Sequence, residues 1–384
     1  MKEFFYGYTY GIFYFEVINK SIGLYRVIVH ICSSIFKIMV HQSVLEAFDL
    51  LSYNEILPLS AGLINHSYKV TLSNNKLRFL QQVNTNIFKK PEWMQENYVL
   101  IQQHLNSKGG FHLPQIIHAG RELVFKIGSK TWRCFEFLPN TYSPEKVYSA
   151  EKAYEVANCF GQFTGMLHDL DIRKLHTILP NFHNLQYRYD QMIDALSNAN
   201  DNAKESAKDL IQDVFENRHL LHWYNKIQDS KLAYPIHTMH HDCKISNILF
   251  NKDFDALQCP IDLDTTQPGL FFSDLGDMIR TIVPTLPEDA ADIEDLHIRT
   301  DFYDATVQGY IDAMAAYLTK EERQDLHYAG AVLVYMQAIR FLADYLNNNI
   351  YYKVSYPEQN RDRTLNQLHL LHLLQQYTSG LKAI

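Results

Sequence analysis

His240-His-Asp-Cys-Lys-Ile-Ser-Asn247 places an aspartate and an asparagine five residues apart, and Ile261-Asp-Leu-Asp264 adds a second acidic pair 20 residues after Asp242. Phosphoryl transfer needs one carboxylate that orients the attacking hydroxyl and accepts its proton. It also needs a carboxylate and an amide oxygen that hold Mg²⁺ on the phosphates. Either short motif alone is common in turns. The full pattern, following a sheet-rich segment, predicts the centre of an ATP-dependent kinase for a small molecule.

The composition indicates a folded chain without a nucleic-acid surface. Of the 384 residues, 47% are hydrophobic and 20% charged, which is typical of a globular protein long enough for two lobes. There are 35 Lys and Arg against 43 Asp and Glu, so the formal net charge is −8. Recognition of a phosphate backbone needs a basic surface, and we therefore expect no nucleic-acid partner.

The cysteines and the first residues bear on location. Five scattered cysteines without CxxC spacing predict neither disulfides nor a zinc ribbon and fit a reducing cytoplasm. Residues 1–38 form an extension of uncertain status, with charged residues interrupting its apolar part. A spanning helix needs about 20 apolar residues in a row, so we expect no stable membrane insertion. A packed helix, a weakly membrane-associating helix and a translated upstream segment stay open, and Met39 favours the last.

The remaining sequence predicts two lobes. From 39 to 139, turn and strand signals predict a small antiparallel sheet, with strands such as 77–83, a hairpin at Gly128-Ser129 and one helix opened by Pro91. Beyond Asn140, helical periodicity predicts helices at 150–168, 185–199, 203–226, 301–318, 321–346 and 365–377. The predicted class is α+β, with a nucleotide-binding lobe (39–139) and a larger, mainly helical catalytic and substrate-binding lobe (140–384).

These motifs resemble those of the aminoglycoside phosphotransferase family, relatives of the protein kinases, and most closely the N-acetylhexosamine 1-kinases. The resemblance is carried by both stretches above together with segments 62–68, 80–88, 340–346, 351–353 and 360–363. It implies a protein-kinase-like two-lobe fold. It also implies use of ATP and Mg²⁺ to phosphorylate the anomeric hydroxyl of an N-acetylhexosamine such as GlcNAc or GalNAc.

The resemblance implies roles for the acidic residues. Asp242 would be the catalytic base or the group that positions the sugar hydroxyl. Asn247 and Asp262 would bind Mg²⁺, and Asp264 would be a second metal ligand or position the substrate.

Four further residues receive supporting or substrate-binding roles from the same resemblance. His240 and Asp274 would brace the catalytic loop, Asp274 from the helix that follows. Arg340 and Tyr351 match positions that contact the hexosamine. Read without the resemblance, Arg340 would be a surface or ion-paired residue.

The nucleotide site departs from the protein-kinase pattern in one place. The loop around Gly62 should cover the ATP phosphates with backbone N–H groups. A glutamine, Gln81 or Gln82, stands where a kinase has lysine. Glu96 is a candidate for its acidic partner, and the strand end around Phe135 should present its backbone to adenine.

Two other interpretations stay open. The acceptor could be another hydroxyl compound, such as an aminoglycoside, choline or homoserine, and a cationic acceptor would need an acidic pocket. The glutamine in place of lysine also allows a nucleotide-binding pseudokinase, although Asp242, Asn247 and Asp262 are intact. The sequence does not indicate the preferred hexosamine or the oligomeric state.

Overall fold

A computed structural model of the chain describes residues 40–59 and 64–381. The extension 1–38 and Gly62, which carry two of the interpretations above, lie outside the described residues. Within them, the boundary predicted near residue 139 separates a sheet-rich part from a mainly helical part.

An antiparallel sheet forms the first lobe, after a short helix α1 (Gln42–Ala47). Its strands are β1 (Tyr53–Leu59), β2 (His66–Leu72), β3 (Leu77–Val83), β4 (Ile116–Ile117), β5 (Phe125–Ile127) and β6 (Lys130–Glu136). They are ordered β1-β2-β3-β6-β4, with β5 also paired to β6. The predicted hairpin is confirmed: Ile127 faces Lys130, and Gly128 takes the positive φ of 57° that favours glycine in a tight turn.

Helix α2 (Pro91–Ser107) connects β3 to β4 and joins the two lobes. Its inner face buries Tyr98, Ile101 and Leu105 at helical spacing. The Tyr98 ring lies 5.0 Å from the ring of Phe135 in β6. The same apolar cluster includes Leu263 of the second lobe, so burial of this face fixes the sheet against the helical lobe.

The second lobe is mainly helical. It contains α3 (Ala150–Met166), α4 (Leu185–Asn198), α5 (Asp201–Ser206), α6 (Lys208–Glu216), α7 (His219–Asp229), α8 (Phe272–Ile282), α9 (Thr300–Met314), α10 (Lys320–Gln324), α11 (Tyr328–Leu346) and α12 (Gln359–Thr378). Its short strands are β7 (Thr141–Tyr142), β8 (His237–Met239), β9 (Ile248–Asn251), β10 (Leu257–Pro260) and β11 (Gln267–Gly269). They pair as β10-β9-β7 and β11-β8. The pairing places the loops after β8 and β10 beside each other.

Two predicted helices are shorter than expected. The helix predicted at 203–226 is three helices, and Asn217 ends the second of them by donating from its side chain to the Asp213 carbonyl, 3.0 Å away. The helix predicted at 321–346 is interrupted at Asp325. The Asp325 carboxylate accepts hydrogen bonds from Trp223 Nε1 at 2.9 Å and from the Tyr234 hydroxyl at 2.6 Å. These bonds hold the turn in place.

Helix α11 is the central helix of this lobe. By length and composition alone it could cross a membrane, but 83% of its most apolar stretch is buried inside the protein, as in a core helix. It packs against α4, α8 and α12. The Tyr335 hydroxyl, near its middle, donates to the Val214 carbonyl at 2.7 Å.

The contact between α3 and α9 generates a stability prediction. A Cβ added at Gly309 would overlap the Tyr154 carbonyl oxygen, and Asn158 already donates to the Gly309 carbonyl at 3.1 Å. Gly309→Ala should therefore lower the free energy of unfolding by about 1–3 kcal/mol, the usual cost of overpacking. Urea unfolding measures it. Gly380→Ala, whose added carbon has no neighbour closer than 3.8 Å, is the matched control. Equal stability of both variants would contradict the prediction.

Candidate active site

Asp242 lies in the loop between β8 and β9, where its neighbours fix its carboxylate. The side-chain amide of Asn247 donates to Asp242 Oδ2 at 2.8 Å and to the Asp242 carbonyl at 2.9 Å. Lys244 Nζ lies 3.0 Å from the same Oδ2 atom. The five-residue spacing seen in the sequence thus returns Asn247 onto Asp242 through one turn of 3₁₀ helix.

The charge on Asp242 follows from these contacts. Desolvation opposes ionisation, but Lys244, with the help of Asn247, holds the pKa of Asp242 below its usual value. The carboxylate is therefore ionised at neutral pH. It can accept a hydrogen bond from a hydroxyl presented to the cleft.

Helix α8 anchors this loop through two aspartates spaced three residues apart on one face. Asp274, fully buried, accepts the backbone N–H groups of His240 at 3.0 Å and His241 at 2.8 Å. Asp277 accepts the N–H of Cys243 at 2.7 Å. The fully buried carboxylate of Asp274 therefore secures the backbone immediately before Asp242, the place where bracing was predicted.

His240 connects the loop to the strand β10 side of the cleft. Its Nε2 donates to the Ile261 carbonyl at 3.0 Å, and its Nδ1 accepts the N–H of Asp242 at 3.3 Å. Its ring packs edge-on against Phe160 in α3, at 5.1 Å between centroids. Both ring nitrogens of His240 thus bond to backbone groups, and its ring packs in the core. These contacts fit a residue that supports the loop.

Asp262 presents a carboxylate to the cleft from a left-handed backbone conformation with φ of 60°. Its side chain has no hydrogen-bond partner among the residues that the structure describes. Desolvation by the surrounding protein raises the pKa of Asp262, and the negative charges of Asp264 and Asp242 raise it further. The Asp262 carboxylate and the side-chain amide oxygen of Asn247 are hard oxygen ligands. Ligands of this kind fit a divalent cation.

Asp264 is engaged differently from its predicted role. Both of its oxygens face Arg133 of β6, at 2.5 Å from Nη1 and 2.7 Å from Nη2, and both side chains are almost fully buried. Asn65 adds a hydrogen bond to Asp264 Oδ2 at 3.1 Å. In this structure Asp264 therefore joins the lobes, with both of its oxygens bound by Arg133.

The glutamine in the lysine position belongs to the same network. Gln81 Oε1 accepts from Arg133 Nε at 2.9 Å, and its amide donates to the Ser67 hydroxyl at 2.9 Å. Gln82 neighbours it in the strand and so points to the opposite face of the sheet. The positive charge in this region therefore comes from Arg133 on the neighbouring strand, and Gln81 holds it in place.

Glu96 does not join this network. It is exposed, and its carboxylate lies 2.6 Å from His176 Nε2. The preceding residue, Gln95, is fully buried and accepts from Arg133 Nη1 at 3.3 Å. The inner face of α2 thus presents an amide where an acidic partner was expected.

Phe135, predicted to present its strand end to adenine, lies inside the sheet. Its side chain is buried against Phe79 and Tyr98 in the interlobe core, and its backbone pairs with β3 and β4 inside the sheet. Residues 137–140 link β6 to β7, where the Phe137 N–H donates to the Leu77 carbonyl at 3.3 Å and the Asn140 carbonyl accepts from the Lys252 N–H at 3.0 Å.

Arg340 and Tyr351 lie close together near the end of α11. The Arg340 guanidinium carbon is 5.6 Å from the ring centre of Tyr352, and Tyr351 packs edge-on against the same ring at 4.8 Å. Tyr351 is 65% exposed. The Asp344 carboxylate accepts the N–H groups of Tyr351 and Tyr352, both at 2.8 Å, and holds this turn.

Sequence reasoning missed several members of the site. Arg133 could have been noticed as a charge inside an apolar strand, and Asp277 by its spacing from Asp274. His183, whose Nδ1 lies 3.3 Å from His241 Nδ1, is 58 residues away from it and gives no local signal. Tyr352 was adjacent to the predicted Tyr351 and makes the closer contact with Arg340.

Comparison with known proteins agrees with this arrangement. Residues 55–319 match the phosphotransferase enzyme family (APH), and the chain belongs to that family. This confirms the predicted membership and identifies the chain as a small-molecule kinase.

Three solved structures share the fold. A microcompartment-associated aminopropanol kinase has a TM-score of 0.60 at 14% identity, covering 88% of this chain and 99% of that one. An amicoumacin kinase in complex with AMP-PNP and Ca²⁺ has 0.54 at 12%, covering 86% and 97%. An ethanolamine kinase from Plasmodium vivax has 0.52 at 14%, covering 96% and 94%. The kinase-like two-lobe α+β fold is confirmed.

The Arg133–Asp264 pair generates a second stability prediction. Arg133→Met leaves a buried carboxylate without its partner and should cost about 3–5 kcal/mol of unfolding free energy. The double variant with Asp264→Asn should recover part of that loss. Chemical denaturation of both variants measures the difference, with exposed Lys130→Met on the same strand as control. A single variant as stable as the wild type would show that the pair contributes nothing.

Proposed function

We propose that this chain transfers the γ-phosphoryl group of ATP to the anomeric hydroxyl of an N-acetylhexosamine, giving the sugar 1-phosphate. The observation that carries the kinase chemistry is the fixed position of the Asp242 carboxylate. Asn247 donates to it, and Asp274 accepts the backbone N–H groups of the two residues before it. The sugar is supported by the sequence resemblance of Arg340 and Tyr351 to positions that contact a hexosamine, and both side chains pack against Tyr352. The protein would act in the cytoplasm.

In this proposal Asp242 orients the acceptor hydroxyl and takes its proton as the hydroxyl oxygen bonds to the γ-phosphorus. The bond between the γ-phosphorus and the β–γ bridging oxygen breaks at the same time, and ADP leaves. Asn247 and Asp262 would hold Mg²⁺, which supplies neutralisation of the negative charge on the phosphates. Asp264 fixes the loop after β10 through Arg133 and so positions Asp262. His240 and Asp274 keep the catalytic loop in register with that loop.

The nucleotide is proposed to bind between the sheet and the loops after β8 and β10. The complex of the amicoumacin kinase with AMP-PNP and a divalent cation supports ATP as the phosphoryl donor and a metal ion as cofactor. In this proposal adenine would lie near residues 137–140, and the sequence prediction that the loop around Gly62 covers the phosphates is kept. Gln81 would act there through Arg133, and Glu96 would take no part.

A substrate panel tests the sugar. Purified protein with Mg-ATP should release ADP when N-acetylglucosamine or N-acetylgalactosamine is added, and the phosphate should be found on the anomeric carbon by NMR. Choline, homoserine and an aminoglycoside serve as competing acceptors. ADP release with one of these, and none with either N-acetylhexosamine, would reject the sugar and keep the kinase.

Asp242→Asn tests the mechanism. Loss of the proton acceptor should lower kcat by about 10²–10⁴-fold, because general-base assistance is of that size, while ATP binding stays intact. Steady-state kinetics and calorimetry with AMP-PNP separate the two effects. Asp229→Asn removes an exposed carboxylate at the end of α7 and should leave kcat unchanged. Normal turnover in Asp242→Asn would refute the assignment.

A further inference from the structure

A continuous wall of side chains leads from Asp242 to Arg188 on α4. His241, next to Asp242, contacts His183, and His183 stacks on Phe182 at 4.6 Å between ring centres. The Phe182 carbonyl accepts from Arg188 Nη2 at 3.3 Å. These contacts connect the residue beside Asp242 to Arg188, and we place the acceptor of the proposed function against them.

The wall carries two arginines without acidic partners. Arg188 Nη1 donates to Gln191 Oε1 at 2.9 Å, and Arg340 Nη1 donates to Gln337 Oε1 at 3.0 Å. Arg340 also lies over the Phe182 ring, 5.9 Å from its centre. In the described ranges, no carboxylate oxygen lies within 4.0 Å of either guanidinium. The Nε atom of Arg188 is buried and has no protein partner there.

The neighbouring acids are bound by groups other than these two arginines. Asp277 and Glu288 are both bound by Arg280, with Asp277 Oδ1 at 2.7 Å from its Nη2. The Asp344 carboxylate is filled by backbone N–H groups and by the Asn360 amide, 2.9 Å away.

The two histidines of the wall add no negative charge either. Desolvation, then His241 and the nearby arginines, lower the pKa of His183 well below its usual value. Burial lowers the pKa of His241 to about 4. Both rings are therefore neutral at pH 7, and the wall keeps a net positive charge.

We propose that Arg188 sets the charge selectivity of the acceptor pocket: with Arg340 it rejects acceptors that carry an ammonium group and favours those that present a carbonyl oxygen. The inference rests on the proposed function, in which the acceptor is an N-acetylhexosamine. A guanidinium donates strong hydrogen bonds to an amide oxygen, whereas an ammonium in the same place meets like charge. The pocket would thus separate N-acetylglucosamine from glucosamine, which differ in that group alone.

This wall contrasts with the acceptors named for similar structures. Aminopropanol and ethanolamine both carry an amine, which is protonated at neutral pH. Arg188 and Arg340, which have no acidic partner in the described residues, would repel such a group. Specificity against an unwanted partner often depends on a repulsive element of this kind.

The test compares Arg188→Lys, Arg188→Gln and Arg188→Glu with the wild type. Calorimetry gives the Kd of glucosamine and of N-acetylglucosamine at about pH 6, where an ordinary amine is protonated. ADP release gives kcat/KM for both sugars. The preference for N-acetylglucosamine should fall about ten- to a hundredfold in Arg188→Gln, fall further in Arg188→Glu and be kept by Arg188→Lys. Arg173→Gln removes a guanidinium that is 87% exposed and should change nothing.

The outcomes separate the two proposals. If the wild type phosphorylates N-acetylhexosamines but its preference is unchanged in Arg188→Gln and Arg188→Glu, the role of Arg188 is overturned and the proposed function stands. Equal loss for both sugars would show a merely structural Arg188. If neither N-acetylhexosamine turns over, the proposed function fails. The wild type is then compared on ethanolamine and ethylene glycol, and preference for the amine overturns the charge selectivity as well.

Discussion

The buried ion pair between Arg133 and Asp264 is the interaction on which the relation of the two lobes depends. Arg133 comes from the sheet, whereas Asp264 comes from the loop that carries Asp262. Gln81, Gln95 and Asn65 satisfy most of the remaining hydrogen-bonding capacity of the pair. Such a pair stabilises only when its geometry is good and its other donors and acceptors are satisfied. Here both conditions hold, so the position of the loop that is proposed to bind the metal is set from the opposite lobe.

This pair also accounts for the contacts of the glutamine in the lysine position. The positive charge of this region is carried by the neighbouring strand β6, where Arg133 lies directly opposite Gln81 of β3. An arginine makes two parallel contacts with a carboxylate, and its direction is therefore fixed more firmly than that of a lysine. Gln81 has become a support for that arginine. The glutamine that left a pseudokinase open is thus part of the buried network that joins the lobes.

Local pattern predicted those features that depend on near neighbours in the chain. The β3 strand, the Gly128 turn, α2 and the return of Asn247 onto Asp242 all follow from spacing and turn residues. The breaks at Asn217 and Asp325 could not be predicted, because they depend on side chains that contact distant or competing partners. Arg133 with Asp264 and His183 with His241 are likewise brought together only by the tertiary fold. The roles of Asp242, Asn247 and Asp262 were predicted from the sequence and stay predictions that kinetics must test.

Helix α11 has a consequence for how such a protein can diversify. Its middle is core, where the Tyr335 hydroxyl donates to the Val214 carbonyl, while its end carries Arg340 and the turn around Asp344, which we propose to face the acceptor. Changes in the middle of the helix would cost stability, but the half-buried Arg340 and the exposed Tyr351 can vary at little cost to the core. The same backbone can therefore be adapted by descent to new acceptors through a few residues at one helix end, while the phosphate chemistry is inherited unchanged.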